Sequence, residues 1–205
     1  MTMGIYANWI VPRLCHLSMR NKRLLPYRQR VVAAAEGQVL EVGIGSGLNL
    51  PFYGANVSRV FGLDPSPELI AMAERAARRV SLPTVLLEGS AEQIPLENRS
   101  VDSIVMTWAG CSIPDVGGAL QEMHRVLRPG GRLLFVEHGR SPEPGVEQWQ
   151  DRLTPIWQRL SGGCHLNRKI DDLVRSAGFR VERLETGYLR GPKIMTFMYE
   201  GNAVI

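Results

Sequence analysis

Glu41-Val42-Gly43-Ile44-Gly45-Ser46-Gly47 is the stretch that decides the fold of this chain. It follows Gln38–Val42, a short run that reads as a strand, and closes it in a glycine-rich turn leading toward a first helix. Glycines in such a turn adopt backbone conformations closed to other residues and let main-chain amides approach a ligand. In an open α/β sheet that ligand sits beyond the carboxyl ends of the strands, where the strand order reverses.

Working outward, strands and helices alternate with short joins. Val57–Leu63, Thr84–Leu87, Val101–Thr107 and Arg132–Glu137 read as further strands, and Pro67–Val80 and Val116–Leu127 as helices between them. Arg128-Pro129-Gly130-Gly131 reads as the stop that releases the fifth strand. Beyond it come a helix over Val146–Leu160 interrupted at Pro155, a helix over Arg168–Ala177, and two strands, Phe179–Glu185 and Lys193–Tyr199. The pattern predicts a doubly wound, mostly parallel seven-stranded sheet that ends in an antiparallel hairpin. Residues 1–36 form a helical arm ahead of one domain over 37–205.

The turn also selects a ligand. A dinucleotide site needs G-x-G-x-x-G, and the position of its third glycine holds Leu48. G-x-G-x-G with Glu41 two residues ahead suits a zwitterion instead. Glu41 is expected near the amino group of a methionyl moiety, with the backbone of Val42, Gly43, Gly45, Ser46 and Gly47 near its carboxylate. Asp64, 21 residues after Gly43, ends the second strand and can accept both hydroxyls of a ribose, with Pro65 and Ser66 beside it. Ser90, Ala91 and Glu92 follow the third strand, where they can read an adenine edge. Thr107 and Trp108 follow the fourth and would cover the methionyl portion. The ligand these features imply is S-adenosylmethionine (SAM), with S-adenosylhomocysteine as its product.

Composition narrows the class. The 205 residues are 44% apolar and 21% charged, with no apolar run long enough to span a membrane. Cys15, Cys111 and Cys164 lie far apart, without zinc-type spacing, and read as reduced thiols of a cytoplasmic protein with no metal, Cys111 and Cys164 as small buried hydrophobes. Of 24 bases and 20 acids, residues 1–36 hold six and one, leaving 18 and 19 for the remainder. The charge therefore sits on the arm, among Ile5, Tyr6, Trp9, Ile10, Leu14 and Leu17. That mixture fits a helical cover over the domain, with Tyr6 and Trp9 closing the cofactor site, or contact with a membrane surface. Nucleic acid is excluded as a partner on two grounds. The charge does not spread along a groove, and Thr107-Trp108-Ala109-Gly110 replaces the Asn/Asp-Pro-Pro-aromatic segment that grips a flipped base.

These motifs resemble a known family. Val39–Gly47, Leu63-Asp64-Pro65-Ser66, Gly89–Pro95 and Arg125–Gly131 look like the ubiquinone/menaquinone-type group of class I SAM-dependent methyltransferases. Cys111-Ser112, Glu137-His138, Trp149-Gln150, Pro155-x-Trp157, Gly163-Cys164-x-Leu166-x-Arg168 and Gly191–Met195 resemble more narrowly the mammalian microsomal alkyl-thiol methyltransferases of the methyltransferase-like group. The resemblance implies methyl transfer to a small-molecule acceptor, a thiol or sulfide. Alternatives are N- or C-methylation of a phospholipid headgroup or quinone precursor, and a SAM-binding module without catalysis. For a thiol acceptor a general base raises the reactive thiolate, and His138 and His165 are the sequence candidates.

Overall fold

The structure, a computed structural model, describes residues 10–205. Two helices come first, α1 (Val11–Met19) and α2 (Leu25–Ala33). The body follows as β1 (Gly37–Val42), β2 (Val57–Asp64), α3 (Pro67–Ala77), β3 (Thr84–Glu88), β4 (Val101–Thr107), α4 (Val116–Val126) and β5 (Leu127–His138). It ends with α5 (Pro144–Leu160), α6 (Ile170–Ser176), β6 (Arg180–Tyr188), the single turn α7 (Lys193–Thr196) and β7 (Phe197–Val204).

The seven strands run in the order β3-β2-β1-β4-β5-β7-β6, with β7 antiparallel to both its neighbours and every other pair parallel. The order reverses at β1 and β4, which places the switch point next to the Glu41–Gly47 turn. Both faces of the sheet are covered, so the central strands are apolar throughout rather than alternating. Leu40, Ile104, Leu133 and Phe135 point to one face with Leu120 and Met123 of α4 and Ile170 of α6. Val39, Val105, Leu134 and Val136 point to the other with Val31 and Val32 of α2 and Ala73 of α3. No helix among the described residues is long and apolar enough to cross a membrane.

The sheet expected from the sequence is present, with four local differences. No α-helix follows β1: the chain passes through turns and the 3-10 segment Leu50–Phe52 before β2. Arg128–Gly131 does not precede β5 but lies within it. Val101 pairs with Leu127 and Ser103 with Arg132, so the intervening residues bulge out, with Gly130 at φ 81°. Helix α5 runs on through Pro155, which is exposed, so water can serve the carbonyl that its missing amide leaves free. Finally, Lys193–Thr196 coils into α7, closed by the Met195 amide and the Thr196 hydroxyl donating to the Pro192 carbonyl, and the last strand starts only at Phe197.

Candidate active site

A cavity of about 820 Å³ opens at the carboxyl ends of β1, β2 and β4, with α1 forming part of its wall. That volume is in the range of pockets that enclose a cofactor-sized ligand. At its floor Glu41, the penultimate residue of β1, is 1% exposed. Asn49 Nδ2 donates to one carboxylate oxygen at 2.8 Å and the Tyr53 hydroxyl to the other at 2.6 Å. Burial pushes the Glu41 carboxyl up to about 7, against the opposing pull of these two donors. Asn49 also donates to Thr107 Oγ1 at 3.0 Å and accepts from Arg28 Nη1 at 2.6 Å. Arg28, from α2, is buried and lines the cavity. A guanidinium and a carboxyl group thus share the floor, joined through one amide side chain.

Asp64 ends β2 and fastens the glycine turn. Its Oδ2 accepts the Gly45 amide at 2.9 Å and its Oδ1 the Ser66 amide at 2.9 Å, while burial raises its pKa. Ser66 rather than Asp64 caps α3, its hydroxyl accepting from the Leu69 amide. At Gly45, with φ 55°, an added Cβ would meet nothing nearer than the Gly43 carbonyl at 4.0 Å. The backbone there stays open to the cavity. Trp108 is one of two non-glycine residues with positive φ among the described residues, at 52°. A bulky side chain in that region is strained, and its amide is held by the Val136 carbonyl at 2.9 Å.

Of the residues singled out from sequence, Glu41, Val42, Gly43, Gly45, Ser46, Asp64, Pro65, Ser66, Ser90, Ala91, Thr107 and Trp108 line this one cavity. Two do not. Gly47 packs against α3, where a Cβ would come within 2.9 Å of Ala76 Cβ. Glu92 turns away because its Oε1 accepts the Asp115 amide at the start of α4, at 2.7 Å. Tyr6 and Trp9 lie outside the described residues.

His138 ends β5 at the carboxyl edge of the sheet, yet neither histidine named from the sequence lines the cavity. His138 does not line the cavity: its Nε2 lies 2.9 Å from Cys164 Sγ. His165 is also outside the lining, with Nδ1 3.1 Å from the Cys111 carbonyl. The imidazole that does line it is His16 of α1, whose Nδ1 lies 2.6 Å from Ser46 Oγ and whose pKa is lowered by burial and by Arg20. Sequence reasoning missed His16, Arg28, Asn49 and Tyr53. For His16 a signal existed: Pro12, Cys15, His16 and Met19 share one helical face, and all four line the cavity.

The comparisons with known proteins agree with this arrangement. The methyltransferase domain family matches residues 40–135. Human thiol S-methyltransferase TMT1B is 33% identical over 172 residues, 80% of this chain and 69% of the relative. The chain belongs to the class I SAM-dependent methyltransferases. It spans 62–69% of the length of four curated thiol S-methyltransferases of rat, human and mouse. A phosphatidylethanolamine N-methyltransferase of Cereibacter sphaeroides is 35% identical over 122 residues, 57% of this chain and 60% of that one. Among solved structures, a SAM-dependent methyltransferase from Aquifex aeolicus superposes with a TM-score of 0.67 over 95% of this chain and 98% of its own, at 20% identity, a likeness of fold.

Proposed function

We propose that this methyltransferase moves the methyl group of SAM to a small soft nucleophile, a thiol or sulfide. The observation that carries the reading is the content of the cavity. Glu41 and Arg28 sit together on the floor, Asp64 borders it, and the imidazole of His16 faces it among the apolar Val11, Pro12, Ile113 and Pro114. The thiol S-methyltransferase relatives support the choice of acceptor.

In this reading Glu41 receives the methionyl ammonium, Arg28 its carboxylate, Asp64 the ribose hydroxyls, and the Ser90–Ala91 backbone the adenine edge. Bound SAM supplies a methyl carbon already activated by its sulfonium. The chain contributes alignment and the exclusion of water, and alignment alone is worth up to about 7–11 kcal/mol. In the tautomer whose Nδ1–H donates to Ser46 Oγ, 2.6 Å away, the lone pair on His16 Nε2 would take the thiol proton. A thiol acceptor would leave as its methyl thioether, its proton passing to His16, and SAM would leave as S-adenosylhomocysteine. The test is release of S-adenosylhomocysteine by purified protein offered small alkyl thiols, amino lipids and quinone precursors. Turnover with a thiol supports the reading, and turnover only with an amine or quinone precursor refutes it.

A second reading, methylation of a phospholipid amine, has its own support. Leu14 and Leu17 on α1 are 53% and 67% exposed, next to the exposed Arg20 and Lys22. An apolar face beside basic residues suits a lipid surface. Sedimentation with anionic vesicles, for wild type and for Leu14→Ser/Leu17→Ser, tests that contact. Equal sedimentation of the two proteins would remove it.

A further inference from the structure

Three donor atoms far apart in sequence converge in the layer beneath the cavity wall. Cys111 lies in the loop after β4, His138 is the last residue of β5, and Cys164 follows the Gly162–Gly163 pair after α5. Their ligand atoms all lie within 4.8 Å of one another, with His138 Nε2 2.9 Å from Cys164 Sγ. Cys111 and Cys164 are only 2% and 8% exposed.

The two cysteine loops are fixed by contacts that do not involve sulfur. The Glu137 carboxylate accepts the amides of Ala109, Gly110 and Cys111 at 2.8, 3.0 and 3.3 Å. The Cys111 carbonyl accepts the His165 amide at 2.8 Å, which ties the loop after α5 to the loop after β4. Arg168 donates to the carbonyls of Gly110 and Pro114. Backbone ties of this kind preorganise a donor set.

We infer that Cys111, His138 and Cys164 form a binding site for a soft tetrahedral divalent cation, of which zinc is the type. Two thiolates and one imidazole are a donor set that zinc favours over harder cations. Their charges also balance: a divalent ion with two thiolates and a neutral imidazole adds no net charge to a buried site, which keeps the burial cost low. Binding replaces two S–H bonds by two S–metal bonds, and the two protons leave to solvent. Bond lengths of about 2.3 Å to sulfur and 2.0–2.1 Å to nitrogen put these atoms about 3.5 Å apart in a tetrahedron. The His138–Cys164 pair therefore opens by about 0.6 Å on binding. Three protein donors leave one of four positions for water or another ligand. The ion would clamp the loops that carry Trp108–Pro114 and Ser161–Gly162, both of which contribute to the cavity wall. The inference does not depend on which acceptor is methylated.

The test uses cobalt(II) as the probe on the full, reduced chain. Titration is followed by the thiolate-to-cobalt charge-transfer absorption, and zinc content is measured by mass spectrometry after desalting. One equivalent of metal per chain and a charge-transfer band are expected. In Cys164→Ala the affinity should fall at least tenfold, while Cys15→Ala, outside the triad, should match wild type. The wild-type spectrum decides the matter even if Cys164→Ala does not fold. Absence of the band in folded, reduced wild type overturns the site, as does a band that survives unchanged in Cys164→Ala or vanishes in Cys15→Ala.

Discussion

The guanidinium carbon of Arg28 lies 4.8 Å from the centre of the Trp108 ring. One residue comes from the second helix, the other from the turn after β4, and both line the cavity. Arg28 is held further by Asn49 Oδ1 at 2.6 Å and by the Met19 carbonyl at 3.1 Å. A cation so fixed, stacked on an aromatic face and desolvated, is preorganised for a carboxylate. Arg28→Met should weaken SAM binding by about 10–100-fold, the equivalent of one charged hydrogen-bonded contact. Calorimetry with S-adenosylhomocysteine, alongside circular dichroism to establish folding, checks this. Unchanged affinity would mean that another group receives the methionyl carboxylate.

Asp64→Asn and Asp64→Ala separate two roles. Asn keeps an acceptor for the Gly45 amide, whereas Ala removes that acceptor and the group proposed to hold the ribose. SAM affinity should fall in both, more steeply in Ala, and stability should fall mainly in Ala, by about 1–3 kcal/mol for the unpaired amide. A folded Asp64→Ala protein with wild-type affinity would exclude Asp64 from ribose binding.

Glu41 makes the free protein's stability depend on pH. Its carboxyl titrates near 7 in the folded chain and near 4.5 when unfolded, so the folded state holds the proton more tightly. The resulting stabilisation is complete below about 4.5, is lost progressively as pH rises to about 7, and is flat above that. The difference amounts to about 3 kcal/mol. In Glu41→Gln the loss disappears, which urea unfolding at several pH values will reveal. SAM affinity should follow the opposite trend. An ammonium partner requires the carboxylate, so binding should weaken by up to about tenfold per pH unit below 7. A pH-independent affinity would detach Glu41 from the ammonium.

His16→Gln should depress turnover of a small alkyl thiol by about 10²–10⁴-fold at neutral pH, with SAM affinity unchanged. The deficit should shrink as pH passes about 8.5, where the thiol ionises unaided. The pH–rate profile of the variant decides between base catalysis and alignment alone: a deficit constant with pH assigns His16 to alignment.

Much of this was legible in the sequence because the relevant signals are local. Gly43, Gly45 and Asp64 belong to short motifs whose chemistry is carried by the backbone and by strand ends, so twelve of the expected cofactor contacts reach one cavity. What escaped were contacts made across long separations. Arg28 meets Asn49 and Trp108 only because α2 lies against the sheet through Val31 and Val32, and nothing near Arg28 in sequence announces that. Glu92 was misplaced for a similar reason, since the Asp115 amide captures it. The second hairpin strand slipped by four residues because Lys193–Thr196 carries an apolar pattern that suits either a strand or one helical turn, and the carbonyl of Pro192 decides for the turn.

Strand β7 lies between β5 and β6 although it comes after both in the chain. During synthesis β6 therefore leaves the ribosome with no neighbour to pair with. It can join the sheet only once residues 197–204 have emerged and slid between it and β5. The first five strands can assemble before residues 197–204 are made, but until then β5 keeps an edge of unpaired backbone groups on the side that β7 later covers. An unpaired strand edge is a template for strand-to-strand pairing with another chain, so the insertion of β7 also closes the sheet to aggregation on that side.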